Sequence, residues 1–256
     1  LDRISDTQQA KQIGFTLATF HKLTTDLDIN KLPYSNKHFH DIDSILRKYD
    51  SAISIYTNQT NTIQSIKKRI LYLSQLIKRF RSEVFVLKQA IHKKKIILQP
   101  IHGDPKLTNF LFDPLTHMPI TLIDLDTIQP GIIHYDIGDC LRSCCNPAGE
   151  EASLLKDVYF DINLFQAFLK GYFIIYGAHL TEDDIHYLPH SIIIITFELA
   201  VRFLSDFLTG NTYFKIENVN QNLYRAEVQF KLLLSIEKQS SAILDIIQKV
   251  AALSSV

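Results

Sequence analysis

The chain has 256 residues, 46% hydrophobic and 21% charged, enough apolar material to bury a core as one large domain or two small ones. Lysine plus arginine and aspartate plus glutamate are both 27, so no overall field favours a polyanion, and no basic run interleaved with aromatics marks a nucleic-acid face. The most apolar run, residues 192–195, falls far short of the roughly 20 residues a bilayer span requires, and the first residues lack an apolar signal region, so a cytoplasmic setting without nucleic acid or membrane is expected.

Residues 5–23 carry Ile13, Leu17 and Phe20 at three-to-four spacing, which predicts an amphipathic helix with Ser5 or Asp6 as N-cap and a structural His21 near its end. A loop over 24–40 containing Pro33 leads to a second helix capped by Asp41 and carrying Ile42, Ile45, Leu46 and Tyr49. His38 and His40 are a weak metal pair, since no carboxylate or thiol is identified to complete the ligand set. The longest periodic segment, 62–91, places Ile63, Ile66, Ile70, Leu73, Ile77, Phe80, Val84 and Leu87 on one stripe and predicts a single central packed helix. Lys93, Lys94 and Lys95 read as its solvated end.

The chain is organised around residues 101–126, I-H-G-D-P-K-L-T-N-F-L-F-D-P-L-T-H-M-P-I-T-L-I-D-L-D. An apolar run, 96–101, delivers His102-Gly103-Asp104, with Asn109 five residues after Asp104. The strand that follows returns through a hairpin at 113–119 and ends in Asp124. Phosphoryl transfer needs one carboxylate beside the acceptor hydroxyl, and a second carboxylate plus an amide oxygen on metal ions bridging the phosphates. The spacing of Asp104, Asn109 and Asp124 follows that logic, in the form of the kinase catalytic loop H-R-D-x4-N. Asp104 is the base expected to accept the hydroxyl proton, Asn109 and Asp124 the Mg²⁺ ligands, and Lys106 the cation facing the transferred phosphate of ATP. His102 and Asp126 are supporting candidates.

Beyond the motif, Gln129-Pro130-Gly131 reads as a turn, and 135–145 as a helix with Asp136 as its cap. On that helix Asp139 and Arg142, three apart, are expected to pair and brace the metal loop. Cys140 and Cys144 share its face, and with Cys145 they read as reduced core thiols without chemistry. Three more helices are predicted, around 162–176, 181–208 and 220–247, and Arg202 in the second of them reads by itself as a snorkelling or salt-bridged arginine.

The stretch 101–126 resembles the catalytic segment of the aminoglycoside phosphotransferase and choline kinase superfamily. Its continuation L-I-D-L-D-T-I-Q-P-G-I-I-H-Y-D-I-G-D-C-L-R, 122–142, and the later R-F-L-S-D-F-L-T-G-N-T-Y-F, 202–214, are similar to the N-acetylhexosamine 1-kinases. The resemblance implies a mainly α, α+β chain: the helical C-terminal lobe of a protein-kinase-like fold, with a small β-hairpin carrying the catalytic and metal loops. It implies an ATP- and Mg²⁺-dependent kinase of the anomeric hydroxyl of an N-acetylhexosamine, with Arg202 and Tyr213 in the sugar pocket. It also implies that residues 1–256 are the catalytic lobe alone, with Leu1 near the hinge after a nucleotide-binding lobe, since no Gly-rich loop or strand lysine precedes Asp104. Gly103 departs from the hexosamine kinases and matches the antibiotic kinases. Kinases of another small alcohol (an aminoglycoside, choline or homoserine) and a non-catalytic binding module therefore stay open as alternatives.

Overall fold

The computed structural model of the chain describes residues 3–4, 6–34, 40–57 and 63–253, so Ser5 and His38 lie outside it. Helix α1, Thr7–Thr24, starts where Asp6 accepts the N–H of Gln8 at 2.8 Å, satisfying one of the amides that a helix start leaves without a partner. Its buried face, Ala10, Ile13, Gly14, Leu17, Ala18 and His21, meets helix α6, Ile162–Tyr176. The two backbones touch at paired glycines: a Cβ on Gly14 would sit 2.1 Å from the Phe168 carbonyl oxygen, and one on Gly171 1.9 Å from that of Lys11.

Two apolar cores form. The first joins α1 and α6 to α5, Ile133–Cys144, and α9, Ser240–Leu253, around Leu17, Ile137, Phe168, Tyr172 and Ile247. The second joins α2, Ile42–Thr57, α3, Gln64–Phe80, α4, Val86–His92, and α8, Gln221–Lys238, around Leu73, Phe80, Phe197, Phe203 and Phe230. Helix α7, Glu182–Leu208, runs through both, with Leu188 and Ile192 in the first and Phe197 and Leu204 in the second. Each such side chain contributes about 1.5–3 kcal/mol relative to exposure. The start of α7 is fixed by a capping box between Thr181 and Asp184.

The short strands pair two by two. β1, Gln99–Ile101, lies antiparallel to β4, Gln129–Gly131, and β2, Phe110–Phe112, to β3, Pro119–Leu122, with Phe110 opposite Leu122. The second pair is the hairpin expected from the sequence, its turn closed by Asp113, which accepts the N–H groups of Leu115 and Thr116 at 2.9 and 2.7 Å.

Four expectations are corrected. Gln129-Pro130-Gly131 is a strand and not a turn: Pro130 faces Pro100, a rung that asks no N–H donor of either residue. The single helix over 62–91 breaks at a 3₁₀ turn, Glu83–Phe85, which lets α3 and α4 both pack on α7 while Phe80, Val84 and Leu87 stay buried. The helix over 220–247 breaks at Gln239, whose amide donates to the Phe160 carbonyl at 2.8 Å, so that α9 can turn onto α6. Asp136 is not a cap, because α5 begins three residues earlier with Ile132 at its N-cap position.

Cys140, Cys144 and Cys145 are buried free thiols, as expected, and burial pushes the thiols of Cys140 and Cys145 well up. Among the described residues no helix is long and apolar enough to cross a membrane.

Candidate active site

The loop between β1 and β2 is held from beneath by one face of α5. Asp136, fully buried, accepts the backbone N–H of His102 at 2.7 Å and of Gly103 at 2.8 Å. Its Oδ2 also bonds His21 Nε2 at 2.9 Å, and His21 Nδ1 meets the Tyr172 hydroxyl at 2.6 Å. Burial alone would raise the Asp136 carboxyl, but the His21 hydrogen bond and charge, then His102 and the Gly103 amide, outweigh it and hold the group below the usual carboxylate range. One helical turn pair further on, Ser143 Oγ accepts the Leu107 N–H at 3.0 Å. Residues 136 and 143 are seven apart and share a helix face, so α5 grips both ends of the loop.

Above this support, Gly103 takes φ +88°, where a Cβ would stand 2.7 Å from the Thr127 carbonyl oxygen. The glycine answers to close backbone approach, strengthened by Thr127 Oγ1 donating to the His102 carbonyl at 2.7 Å. His102, fully buried, donates from Nε2 to the Ile123 carbonyl at 2.9 Å, and its Nδ1 accepts the Asp104 N–H at 3.3 Å. The imidazole thereby ties the Asp104 loop to the strand that delivers Asp124.

Asp104 is half-buried and ion-paired with Lys106, and Asn109 Nδ2 donates both to its carbonyl at 2.7 Å and to its Oδ2 at 3.1 Å. Burial, then the charge of Asp139, raise the Asp104 carboxyl above the usual range, with Lys106 and Arg142 pulling the other way. Asn109 O accepts the Ile123 N–H at 2.8 Å, which brings Asp124 alongside. Asp124 itself is exposed, adopts left-handed φ 66°, ψ 60°, and its carboxylate makes no hydrogen bond or ion pair among the described residues. Asp126 is exposed in the 3₁₀ turn Leu125–Thr127 and likewise makes none. The structure thus gathers His102, Asp104, Lys106 and Asn109 into one bonded unit and ties the backbone beside Asp124 to it, while Asp126 stays outside.

Asp139 and Arg142 pair as expected, through Oδ1 at 2.9 and 2.7 Å, and Arg142 extends to Glu150 at 3.2 Å. The Asp139 Oδ2 atom is buried without a hydrogen bond. Its charge acts on Asp104 and also on His40, which bonds Glu198 at 3.0 Å and stacks on Tyr135 at 4.4 Å. Burial opposes protonation of His40, but the Glu198 charge and hydrogen bond outweigh it and raise its pKa. His40 therefore takes a carboxylate partner on Nδ1, while His38, its expected companion in the pair, lies outside the described residues. Among the described residues no three of His, Cys, Asp and Glu gather as a metal cage.

Glu198 opens onto a second feature, a cavity of about 640 Å³ between α2 and the end of α7. Arg47 and Lys48 of α2 line it, with Arg202, Asp206 and Tyr213. Arg202 and Tyr213 come together there: the guanidinium donates to the Tyr213 hydroxyl at 3.4 Å and lies 5.6 and 5.5 Å from the Tyr213 and Phe214 rings. Neither residue bonds Asp104, and the cavity connects to the loop through Glu198, His40 and the charge of Asp139.

Residues 67–179 match the phosphotransferase enzyme family APH. That stretch contains Asp104, Asn109, Asp124, Asp136 and Arg142, and ends before Arg202 and Tyr213. Among solved structures, the chain is similar to Plasmodium vivax ethanolamine kinase, with TM-score 0.54 and 14% identity over 88% of this chain and 62% of that one. It is also similar to an aminoglycoside phosphotransferase from Alicyclobacillus acidocaldarius, with TM-score 0.57 and 16% identity over 93% of this chain and 68% of that one. The fold is that of the helical lobe of a protein-kinase-like protein, with the β2–β3 hairpin carrying the loop residues.

The sequence reading missed Asp136 and Ser143 as anchors and Glu198 as the partner of His40. The spacing of 136 and 143 on one helix face was a visible signal. The pairing of His40 with Glu198, 158 residues apart, left none.

Proposed function

We propose that this protein is an ATP- and Mg²⁺-dependent phosphotransferase acting on a small-molecule hydroxyl. The observation that carries the reading is the Asp104 carboxylate on a loop bolted to α5, with the Asn109 amide on it and Asp124 beside it. The match of residues 67–179 to the phosphotransferase family supports it.

In this reading Asp104 orients the acceptor hydroxyl and takes its proton, from a carboxyl that burial holds closer to working pH than a free aspartate. Lys106, paired with Asp104, stays within reach of the incoming phosphoryl oxygens and offsets their charge. The donor set fits Mg²⁺: Asn109 spends its N–H on Asp104 and keeps its oxygen, and Asp124 offers a carboxylate with no protein partner among the described residues. The ion would supply charge neutralisation on the nucleotide phosphates. Leu111, Ile120 and Ile123, exposed on the hairpin next to Asp124, offer a base an apolar surface. Transfer is direct and in line, so no nucleophilic serine or cysteine is needed.

For the acceptor we propose an N-acetylhexosamine, phosphorylated at its anomeric hydroxyl in the cavity of Arg202 and Tyr213. Charge supports a neutral sugar over an amino alcohol or aminoglycoside. Arg47, Lys48 and Arg202 all line the cavity, and its two acids are engaged: Glu198 by His40, Asp206 by backbone amides. An ammonium ligand would meet the charges of Arg47 and Lys48, while Arg202 is already paired with Glu198 at 3.9 Å. Residues 1–256 would act as the catalytic lobe, with nucleotide enclosed by a further lobe, and the buried free thiols support a cytoplasmic setting.

The test is a screen of the full-length protein with Mg-ATP against N-acetylglucosamine, N-acetylgalactosamine, choline, ethanolamine, homoserine and an aminoglycoside, with phosphorus NMR of the product. A sugar 1-phosphate is expected. Phosphate on an amine-bearing acceptor alone would remove the sugar assignment, and no phosphate on any of them would remove the kinase reading.

A further inference from the structure

Helix α7 ends at Leu208, and the chain leaves it through Gly210 and Asn211, both at positive φ (92° and 58°). The segment that follows is held by one carboxylate. Asp206, 6% exposed, collects three consecutive backbone amides: Thr212 N–H at 2.9 Å and Tyr213 N–H at 2.8 Å on Oδ1, and Phe214 N–H at 3.0 Å on Oδ2. Asn222 of α8, fully buried, donates to the same Oδ2 at 2.9 Å and to Asn211 Oδ1 at 2.9 Å. The Asn211 N–H closes the ring on the Asp206 carbonyl at 2.7 Å. Charge-assisted bonds of this kind are about twice as strong as neutral ones, and three successive amides aimed at one anion fix the orientation of each residue that carries them.

What they orient is Tyr213. Its side chain is 67% exposed, so burial does not hold it in place. It nevertheless meets the Arg202 guanidinium with both ring and hydroxyl, while Phe214, next along, packs on Phe203 at 4.5 Å and covers the same guanidinium from its other contact. A tyrosine left in solvent contributes little to folding, whereas one locked over an arginine at a cavity rim has a defined place for a ligand to meet.

We propose that Asp206 is a positioning residue for the acceptor: by gathering the amides of residues 212–214 it sets Tyr213, and through Tyr213 the Arg202 guanidinium, against the bound sugar. This rests on the reading of the α2–α7 cavity as the acceptor site. A carboxylate is required because asparagine keeps one acceptor oxygen and would turn an NH₂ group toward N–H donors already present.

The experiment has two arms on the full-length protein. In the first, hydrogen exchange of wild type is followed with and without N-acetylglucosamine. The amides of 212–214 are expected to exchange slowly despite their place in a surface loop, and more slowly with the sugar. Exchange at the rate of a free loop would overturn the proposal without any variant having to fold. In the second, Asp206→Asn, Tyr213→Ala and the double variant are assayed with Mg-ATP and N-acetylglucosamine. Losing one or two hydrogen bonds' worth of binding should raise the acceptor KM about tenfold in Asp206→Asn, with kcat within about twofold and the KM for ATP unmoved. The double variant should show no higher acceptor KM than Tyr213→Ala, because Asp206 acts through that side chain. An Asp206→Asn enzyme with wild-type acceptor KM, or additive KM effects in the double variant, overturns the positioning role while the kinase reading stands. Absence of turnover in wild type removes the kinase reading itself, and this inference with it.

Discussion

Asp136 Oδ1 accepts the backbone N–H of Gly103 at 2.8 Å, one residue before the carboxylate assigned to chemistry. The geometry of Asp104 therefore depends on a buried carboxylate that lies outside the proposed chemistry. Asp136→Asn keeps the volume but opposes an NH₂ group to N–H donors and takes the carboxylate partner from His21 Nε2. Breaking such a buried network should cost about 3–5 kcal/mol, together with a fall in kcat, whereas a lost helix cap would cost about 1 kcal/mol and leave kcat alone. Thermal melts and turnover of the same variant decide between the two. The pH dependence follows from the depressed carboxyl: an unfolded aspartate takes its proton at about pH 3.9, the folded Asp136 only lower, so stability present above that range is lost as pH falls through it. Asp136→Asn should flatten that part of the stability curve.

Asp104→Asn removes the proposed proton acceptor at constant size, and kcat should drop about 10²-fold or more with the fold retained. In the active enzyme, kcat/KM should rise with pH through the Asp104 carboxyl, with an acid limb above the ordinary aspartate range because burial and Asp139 raise it. Asp139→Asn removes a like charge and releases Arg142 to act on Asp104, so the limb should move to lower pH. A limb that stays fixed in Asp139→Asn assigns it to another group.

Asp124→Ala should abolish Mg²⁺-dependent nucleotide binding while leaving the melting temperature close to wild type, since its carboxylate makes no bond among the described residues. Titration calorimetry with Mg-ATP checks this, and unchanged affinity would show that the metal sits elsewhere.

Gly171→Ala would place a methyl carbon 1.9 Å from the Lys11 carbonyl oxygen, backbone against backbone, with no flexible side chain to move aside. Helices α1 and α6 must separate, and the cost should reach about 1–3 kcal/mol or more, read as a lowered melting temperature. Gly210→Ala, where nothing lies within 4 Å, meets only the strain of its positive φ.

Much of this was readable in residue order. The hairpin, the first helix with a cap at Ser5 or Asp6, the helix start at residue 181 and the Asp139–Arg142 pair all rest on neighbours within a few positions, where local physics leaves a local signature. The apolar stripe over 62–91 ran unbroken through a real break, because the 3₁₀ turn at Glu83–Phe85 keeps Val84 and Leu87 buried and so leaves the periodicity intact. Asp136 resembled a cap because acids favour helix starts; its service to a loop 33 residues upstream depends on how α5 lies under β1, which no window of sequence contains. The cavity of Arg202 needed α2 beside α7, a contact across more than 140 residues.

With Asp124 as the proposed metal ligand, its left-handed turn sets stability against activity at a single residue. A side chain at φ 66° costs about 1 kcal/mol that glycine would not incur, and the carboxylate recovers none of it through bonds to the protein. Selection for folding alone would put glycine at that corner. Asp124→Gly should therefore melt higher than wild type and be inert as a catalyst. If Asp124→Gly melts lower, the aspartate is serving the fold, and a ligand need not be what keeps it there. The corner is thus a place where directed evolution for thermostability, run without an activity screen, would be expected to erase the enzyme first.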